Sequence, residues 1–319
     1  MEKIKLYFEG NDYCSDFFKS FVIHSDVAFD DCDFVVSSNF DFGKSIKKNI
    51  QNSLNKYINY DKKVIVFLVS DYNNELNIPK NVFLFRTALY KSIKKQNEFV
   101  LPYIWESFYD DFEPLTKTAK PIVGFCGNVK NNSGRRESTM ASIESDNLIC
   151  SNFIKHIGFG GGKIELVERF KKNILQSHFT ISNRGLGNFS MRFYQVLALG
   201  RIPVLLDTDM AFPFNEIIDW NKYIITSKSE NQLAEKIKHF WSVTTDRDLI
   251  AIQQNCKQLF DDYFSYAGLG NQIEKLLQTE KNIPRIIKSE QAISFKFPHL
   301  RYKVNKKIAS LKLMFHQKK

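Results

Sequence analysis

The sequence predicts an α/β protein built from two Rossmann-like units that face a cleft. Three observations carry that expectation. Short apolar runs alternate with amphipathic stretches in two successive series, a polar break near residues 110–120 separates them, and a glycine turn, helix and strand follow one another between Ser182 and Trp220. Strands joined through helices need crossover connections, which implies parallel pairing. The expected units are residues 1–115, residues 116–285 and a basic tail over residues 286–319.

In the first series Lys3 to Phe8 reads as a strand, and Gly10-Asn11-Asp12 is the turn at its C-terminal end, the edge where open α/β sheets bind ligands. A helix is expected over Asp16 to Ile23, a strand over Asp33 to Ser37, an amphipathic helix over Ser45 to Tyr60, and strands over Val64 to Val69 and Val82 to Phe85. The second series opens with a strand over Ile122 to Phe125. Its turn, Cys126-Gly127-Asn128, leads to Arg135-Arg136 and a helix over Glu137 to Ile143. Those two arginines read either as phosphate ligands or as a solvated helix face. Further on, a strand is expected over Asn147 to Cys150, a helix over Leu166 to Leu175 and a strand over His178 to Ile181.

The next stretch carries the chemistry. Asn188 is the expected N-cap of a helix over Phe189 to Leu199 that Gly200 ends, and Ile202 to Leu206 follows as a strand with Pro203 near its start. Ahead of the helix, Gly185 and Gly187 allow close approach of backbone to a ligand. Arg184, Ser190 and Arg192 place two cations and a hydroxyl around a helix N-terminus, where free N–H groups and the macrodipole favour an anion. The simplest guest is a phosphate or diphosphate; the structural alternative is an ordinary capped helix between two strands. Beyond Trp220 come a strand over Tyr223 to Thr226, a helix capped by Ser229 and Gln232, a long helix opened by Thr245 or Asp246, and, after a break at Gly268 and Gly270, a helix over Asn271 to Gln278.

Ser190, Arg192, Phe193 and Tyr194, the run Gly200-Arg201-Ile202-Pro203-Val204, Asp207 or Asp209, Pro213-Phe214 and Asp219-Trp220 together resemble the signature of exostosin-type glycosyltransferases, glycosyltransferase family 47. The likeness is dense from Ser182 to Trp220, thin from Pro121 to Leu277, and nearly absent over residues 1–100. It implies the GT-B architecture, with the donor on the C-terminal unit and the acceptor on the N-terminal one. It also implies an inverting, metal-independent transfer from a nucleotide sugar, with a UDP-sugar as first choice, to a glycan or lipid-linked glycan in surface-polysaccharide assembly, and no cofactor. Under this resemblance Arg135, Arg184 and Arg192 neutralise the departing diphosphate, and Gly185, Gly187, Asn188 and Ser190 form its turn. Gln195 stands where the family has a ribose-binding glutamate, a departure that leaves a weaker acceptor for the ribose hydroxyls. Asp207 and Asp209 either bond the donor sugar or only cap a turn. Asp12 is the expected general base, with Asp16, His24 and Glu106 as alternatives. A rival reading takes Asp207-Thr208-Asp209 as the metal-holding DxD of a GT-A transferase.

Composition is that of a globular protein, with 43% hydrophobic and 25% charged residues. No stretch of eighteen apolar residues occurs, and the N-terminal apolar run is brief, which predicts a cytoplasmic protein without a spanning helix. Five scattered cysteines argue against zinc and against a disulfide framework, and are expected as buried thiols. The basic tail and the 29 phenylalanines raise nucleic-acid binding as another class, but the aromatics fall at core positions and do not alternate with Lys or Arg, so no nucleic acid is expected.

The net charge of +10 is concentrated at one end: residues 294–319 hold eight Lys or Arg and no acid. Val304, Ile308, Leu311 and Phe315 recur there at helical spacing among lysines, which describes either a helix packed on the first unit or one lying on an anionic membrane surface. On the membrane reading, the full chain co-sediments with vesicles containing anionic lipid and less so in high salt, and removing residues 301–319 abolishes this. Loss of folding on truncation, with no vesicle binding by the full chain, assigns the tail to packing.

Overall fold

The structure, a computed structural model, describes residues 3–10, 13–37, 46–103, 112–130, 135–156 and 164–281. The tail and its membrane reading lie outside the described residues. Within them, no helix is long and apolar enough to cross a membrane.

The first unit holds β1 (Ile4–Phe8), α1 (Tyr13–Phe21), β2 (His24–Asp26), β3 (Phe34–Ser37), α2 (Ile46–Asn55), β4 (Lys63–Leu68), β5 (Val82–Arg86) and β6 (Glu98–Val100). The second holds β7 (Ile122–Asn128), α3 (Arg136–Glu144), β8 (Cys150–His156), α4 (Ile164–Leu175), β9 (Phe179–Ile181), α5 (Met191–Ala198), β10 (Ile202–Leu206), β11 (Ile225–Ser227), α6 (Glu230–Val243) and α7 (Asp246–Tyr263). A last helix, α8 (Tyr266–Lys281), follows. The sheets run β2-β1-β3-β4-β5-β6 and β11-β10-β9-β7-β8, with parallel pairing throughout. These are the two parallel-sheet α/β units expected. β5 and β10 are buried at every residue, as parallel strands covered on both faces must be.

Pro203 sits in an interior strand, yet it breaks no ladder. It pairs with Thr180 of β9, whereas β11 joins β10 only from Val204 onward, so the missing N–H falls where no partner strand has begun.

Several expectations need correction. The short strands β2 and β6 had no apolar pattern long enough to announce them. The strand expected at residues 147–150 begins where that stretch ends, at Cys150. Helix α5 starts at Met191 with Ser190 as N-cap, because the Asn188 side chain is engaged elsewhere. Ser229 does cap α6, but makes no side-chain capping bond. Four cysteines are buried and Cys150 is exposed.

The largest correction concerns Gly268 and Gly270, which lie inside α8 rather than breaking a helix. A Cβ on Gly270 would stand 2.1 Å from the Phe21 carbonyl oxygen, and one on Gly268 2.2 Å from that of Asp261. Both glycines serve close packing, against α1 and against the end of α7. Helix α8 thereby crosses to the first unit, and Leu269, Ile273 and Leu277 join the core made by Ile4, Phe18 and Phe67. Helix α8, which lies within the stretch expected as the second unit, thus packs both on α7 and on the first unit.

The segment between the units is strapped down. Leu115 exchanges backbone bonds with the buried Gln253 side chain at 2.9 and 2.8 Å. Arg201, also buried, donates to the carbonyls of Leu199, Gly200, Leu175 and Glu113. Those of Leu175 and Leu199 close α4 and α5, where the helix dipoles favour a cation.

His178 completes the strap. Its Nδ1 accepts from the Ile122 N–H at 3.1 Å and its Nε2 faces the Thr116 carbonyl at 3.0 Å, which fixes the neutral Nε2–H tautomer. Burial first, with the Arg201 charge adding to it, holds its pKa below the ordinary 6.5. The unfolded chain takes up a proton at pH values where the native state refuses it, so stability is present above about pH 6.5 and is lost as pH falls below it. We expect the thermal midpoint to drop between about pH 7.5 and pH 5.5, and His178→Gln to flatten that part of the slope; an unchanged slope would remove His178 from the account.

Candidate functional site

Two arginines are buried at the C-terminal edge of the second sheet. Arg192, on the first turn of α5, reaches across to the end of β7, where its Nη2 donates to the Cys126 carbonyl at 2.9 Å. The guanidinium lies over the Phe125 ring at 4.4 Å and near Phe170 at 5.6 Å. Gly127, at φ +153°, makes the room: a Cβ there would stand 2.5 Å from Nη2. Arg136, the first residue of α3, flanks the same Phe125 ring and donates to the carbonyls of Asn128 and Asn183.

The charge balance is the point of interest. Neither guanidinium meets a carboxylate among the described residues, and Nε and Nη1 of Arg192 and Nε of Arg136 are buried without an acceptor. Burial, with the Arg136 charge beside it, pulls the Arg192 pKa down to about 9, and burial alone takes Arg136 to about 10. Both still carry their charge at neutral pH. A desolvated cation pair with unused donors, next to the N-termini of α3 and α5, has the chemistry that a multivalent anion requires of its site.

The other two arginines expected at the donor site, Arg135 and Arg184, are engaged elsewhere. Arg135, at the N-cap of α3 with φ 52°, points outward and binds Glu230 with both Nε (2.7 Å) and Nη2. The residue facing the buried edge is its neighbour, Arg136. Successive helix positions point about 100° apart, and the sequence had no signal to choose between the two. Arg184 clamps its own loop: Nε donates to the Gly187 carbonyl, Nη2 to that of Leu186, and Nη1 to the Tyr90 hydroxyl of the first unit, each at 3.1 Å.

The glycine turn and the DxD run meet the first unit. The Gly187 N–H donates to Asp71 Oδ1 at 3.0 Å, and a Cβ on Gly187 would lie 2.7 Å from that oxygen. Gly185 closes the turn through a bond from its N–H to the Phe189 carbonyl at 3.3 Å. Asn188, fully buried, donates to the carbonyls of Leu89 and Asp209 and accepts from Thr208. Asp209, at φ 61°, is bound by the Ser92 N–H and hydroxyl, while Asp207 accepts from the Asp209 N–H at 2.9 Å and is exposed. The two carboxylates of the DxD are thus turned to different tasks. An isolated antiparallel bridge, Tyr90 to Met210, lies in the same seam. Ser190, at the N-cap, makes no capping bond with its side chain, and Gln195 is half-buried one turn further on.

Asp12 and Glu106 lie outside the described residues. Asp16 is exposed on α1, and His24 is held by the Val22 carbonyl at 2.7 Å and by Asp26 at 2.8 Å. Glu9, at the end of β1, accepts from Lys56, Tyr57 and Tyr60, and its pKa is lowered: burial works to raise it, but those three donors outweigh burial.

Known proteins resemble this chain over part of its length. The family model described as the Exostosin GT47 domain matches residues 89–239, from the Leu89 seam through α6. Exostosin-1c of Danio rerio is 34% identical over 100 residues, 31% of this chain and 13% of that protein. Exostosin-like 1 of Homo sapiens is 33% identical over 88 residues, 28% of this chain and 12% of that protein. The match thus spans about an eighth of the length of those relatives. Among solved structures, a glycosyltransferase from Rickettsia africae ESF-5 aligns with TM-score 0.45 at 12% identity, over 88% of this chain and 90% of that one. Anabaena HepE in complex with UDP and glucose aligns with TM-score 0.38 at 10% identity, over 87% and 100%. The stretch bearing Arg136, Arg192 and the Gly187 turn lies wholly inside the matched segment, and over residues 89–239 the chain is similar to the Exostosin GT47 domain.

Proposed function

We propose that the protein transfers a sugar from a nucleoside-diphosphate donor, a UDP-sugar by preference, to a glycan hydroxyl, with the diphosphate held between Arg136 and Arg192. The observation that supports this most is the pair of buried guanidiniums around Phe125, with donors left over and no carboxylate in reach among the described residues. As the bond from sugar to diphosphate breaks, negative charge grows on the leaving group. Cations already desolvated and fixed in place meet it without reorganisation. Arg135 drops out of the donor set and Arg184 acts by holding the turn. Gln195, Ser190 and Asp207 remain the groups for ribose, phosphate and sugar hydroxyls.

A buried cation that awaits its counter-ion costs the empty protein stability. Arg192→Met, which fills the space without charge, is expected to unfold at a temperature no lower than the parent yet to bind UDP at least 10-fold more weakly and to transfer sugar on the order of 10²-fold more slowly. Arg135→Ala, by contrast, leaves UDP affinity within about twofold, since its partner Glu230 belongs to α6. Calorimetric titration with UDP reads both. Unchanged affinity in a folded Arg192→Met protein would end the diphosphate assignment.

Two arginines supply the charge that a metal ion provides in DxD transferases, and Asp209 is committed to Ser92. Transfer is therefore expected to persist in EDTA with no gain from added Mn²⁺ or Mg²⁺; activity that EDTA abolishes and Mn²⁺ restores favours the DxD reading.

A further inference from the structure

Asp71 lies beyond the C-terminal end of β4, the ligand-binding edge of the first sheet, and outside the matched family segment. It is exposed, and it touches the second unit at the one glycine turn that leads into α5. Its Oδ1 is fixed from two sides, by the Gly187 N–H at 3.0 Å and by the Tyr103 hydroxyl at 3.4 Å. Burial, with the Asp71 charge adding to it, pushes the Tyr103 pKa up to about 12, so that hydroxyl keeps its proton and stays a donor. Among the described residues Oδ2 has no partner. Gly187 follows from this contact: any side chain there would strike Oδ1.

We infer that Asp71 is the general base of the transfer, an assignment that rests on the transferase reading above. A base must come from the acceptor side, carry an oxygen free to take a proton, and be aimed at the donor site by something other than the substrate. Asp71 meets all three conditions. The remaining described carboxylates at this edge do not: Glu9 is neutralised by Lys56 and two tyrosine hydroxyls, and Asp26 is paired with His24. In the reaction, the proton of the acceptor hydroxyl passes to Oδ2 and its oxygen bonds to the anomeric carbon. The bond from that carbon to the donor phosphate breaks, and its electron pair leaves with the nucleoside diphosphate, where Arg136 and Arg192 meet the charge. Direct attack with one base inverts the anomeric centre. The Gly187 bond sets the distance between acceptor and donor, because it joins the base to the turn that opens the donor helix.

The bland alternative is a latch, in which Asp71 only holds the two units together. Asp71→Asn separates the two roles, since its amide oxygen still accepts from Gly187 and Tyr103 but the group can no longer take a proton. The experiment measures UDP release from UDP-glucose, UDP-galactose, UDP-N-acetylglucosamine and UDP-glucuronate in the presence of a mixed oligosaccharide acceptor, alongside UDP titration calorimetry. A base predicts that Asp71→Asn lowers kcat on the order of 10³-fold while UDP affinity and thermal midpoint stay within about twofold and about 2 °C of the parent. Asp71→Glu should recover part of the rate. Wild-type turnover in Asp71→Asn overturns the proposal, as does a parent chain that binds UDP and turns over none of the four donors. Failure of the parent to bind UDP is a different result and counts against the diphosphate site itself.

Discussion

The candidate site depends on a buried cation that has no counter-ion among the described residues. Arg192 is buried against Phe125 and Phe170, gives one bond to a carbonyl, and shares its low-dielectric surroundings with Arg136. Arg201 shows what a structural arginine in this fold looks like. It is equally buried, but it lies across the ends of two helices and donates to four carbonyls. The contrast matters because charge removed from water is costly unless something answers it: Arg201 meets four carbonyls and keeps only its Nε without an acceptor, whereas Arg192 meets one carbonyl and keeps Nε and Nη1 without one. Such a cost persists in evolution where a ligand repays it. Gly127 belongs to the same device, since only a residue without a side chain lets the guanidinium lie against the end of β7.

Around that site the two units are joined at separate places. One is the seam where Leu89, Tyr90 and Ser92 meet the turns at residues 184–190 and 207–211, made largely of backbone bonds and of Asn188, Arg184 and Asp209 side chains. The other is α8, which brings an apolar face to the first sheet and needs two glycines to sit close enough. The family match begins at Leu89, inside the first unit. The matched segment thus takes in the part of the first unit that holds the loops at residues 184–190 and 207–211 in shape.

Much of this was legible in the residues. The alternation of strands and helices gave the two parallel sheets, because parallel strands buried on both faces are unmistakable apolar runs such as Val64 to Leu68 and Ile202 to Leu206. The Thr245 cap was readable too, and its side chain accepts from the Asp248 N–H. What escaped was whatever depends on partners distant in sequence. Gly185 and Gly187 announced a close approach, but the approach of Gly187 is by Asp71. Gly268 and Gly270 looked like a break because propensity is local, while the Phe21 and Asp261 carbonyls that demand glycine are set by packing. Asn188 was a good cap in isolation and became a tie between Leu89, Thr208 and Asp209. β2 and β6, three residues each, are strands only because a neighbour pairs with them.

The fate of Asp207-Thr208-Asp209 shows why spacing alone does not assign chemistry. Two carboxylates after an apolar strand fit a metal site as well as a turn, and the decision lies in where the oxygens go. Here the Asp207 oxygen bonds the Asp209 N–H, which bends the chain, and the left-handed φ at Asp209 turns its carboxylate to Ser92 across the seam. The first aspartate therefore builds the turn from which the second reaches Ser92. Both carboxylates are engaged within the protein, whereas the guanidiniums of Arg136 and Arg192 converge on a single ring. Under the function proposed above, it is this convergence of cations, more than the presence of acids, that would hold the diphosphate.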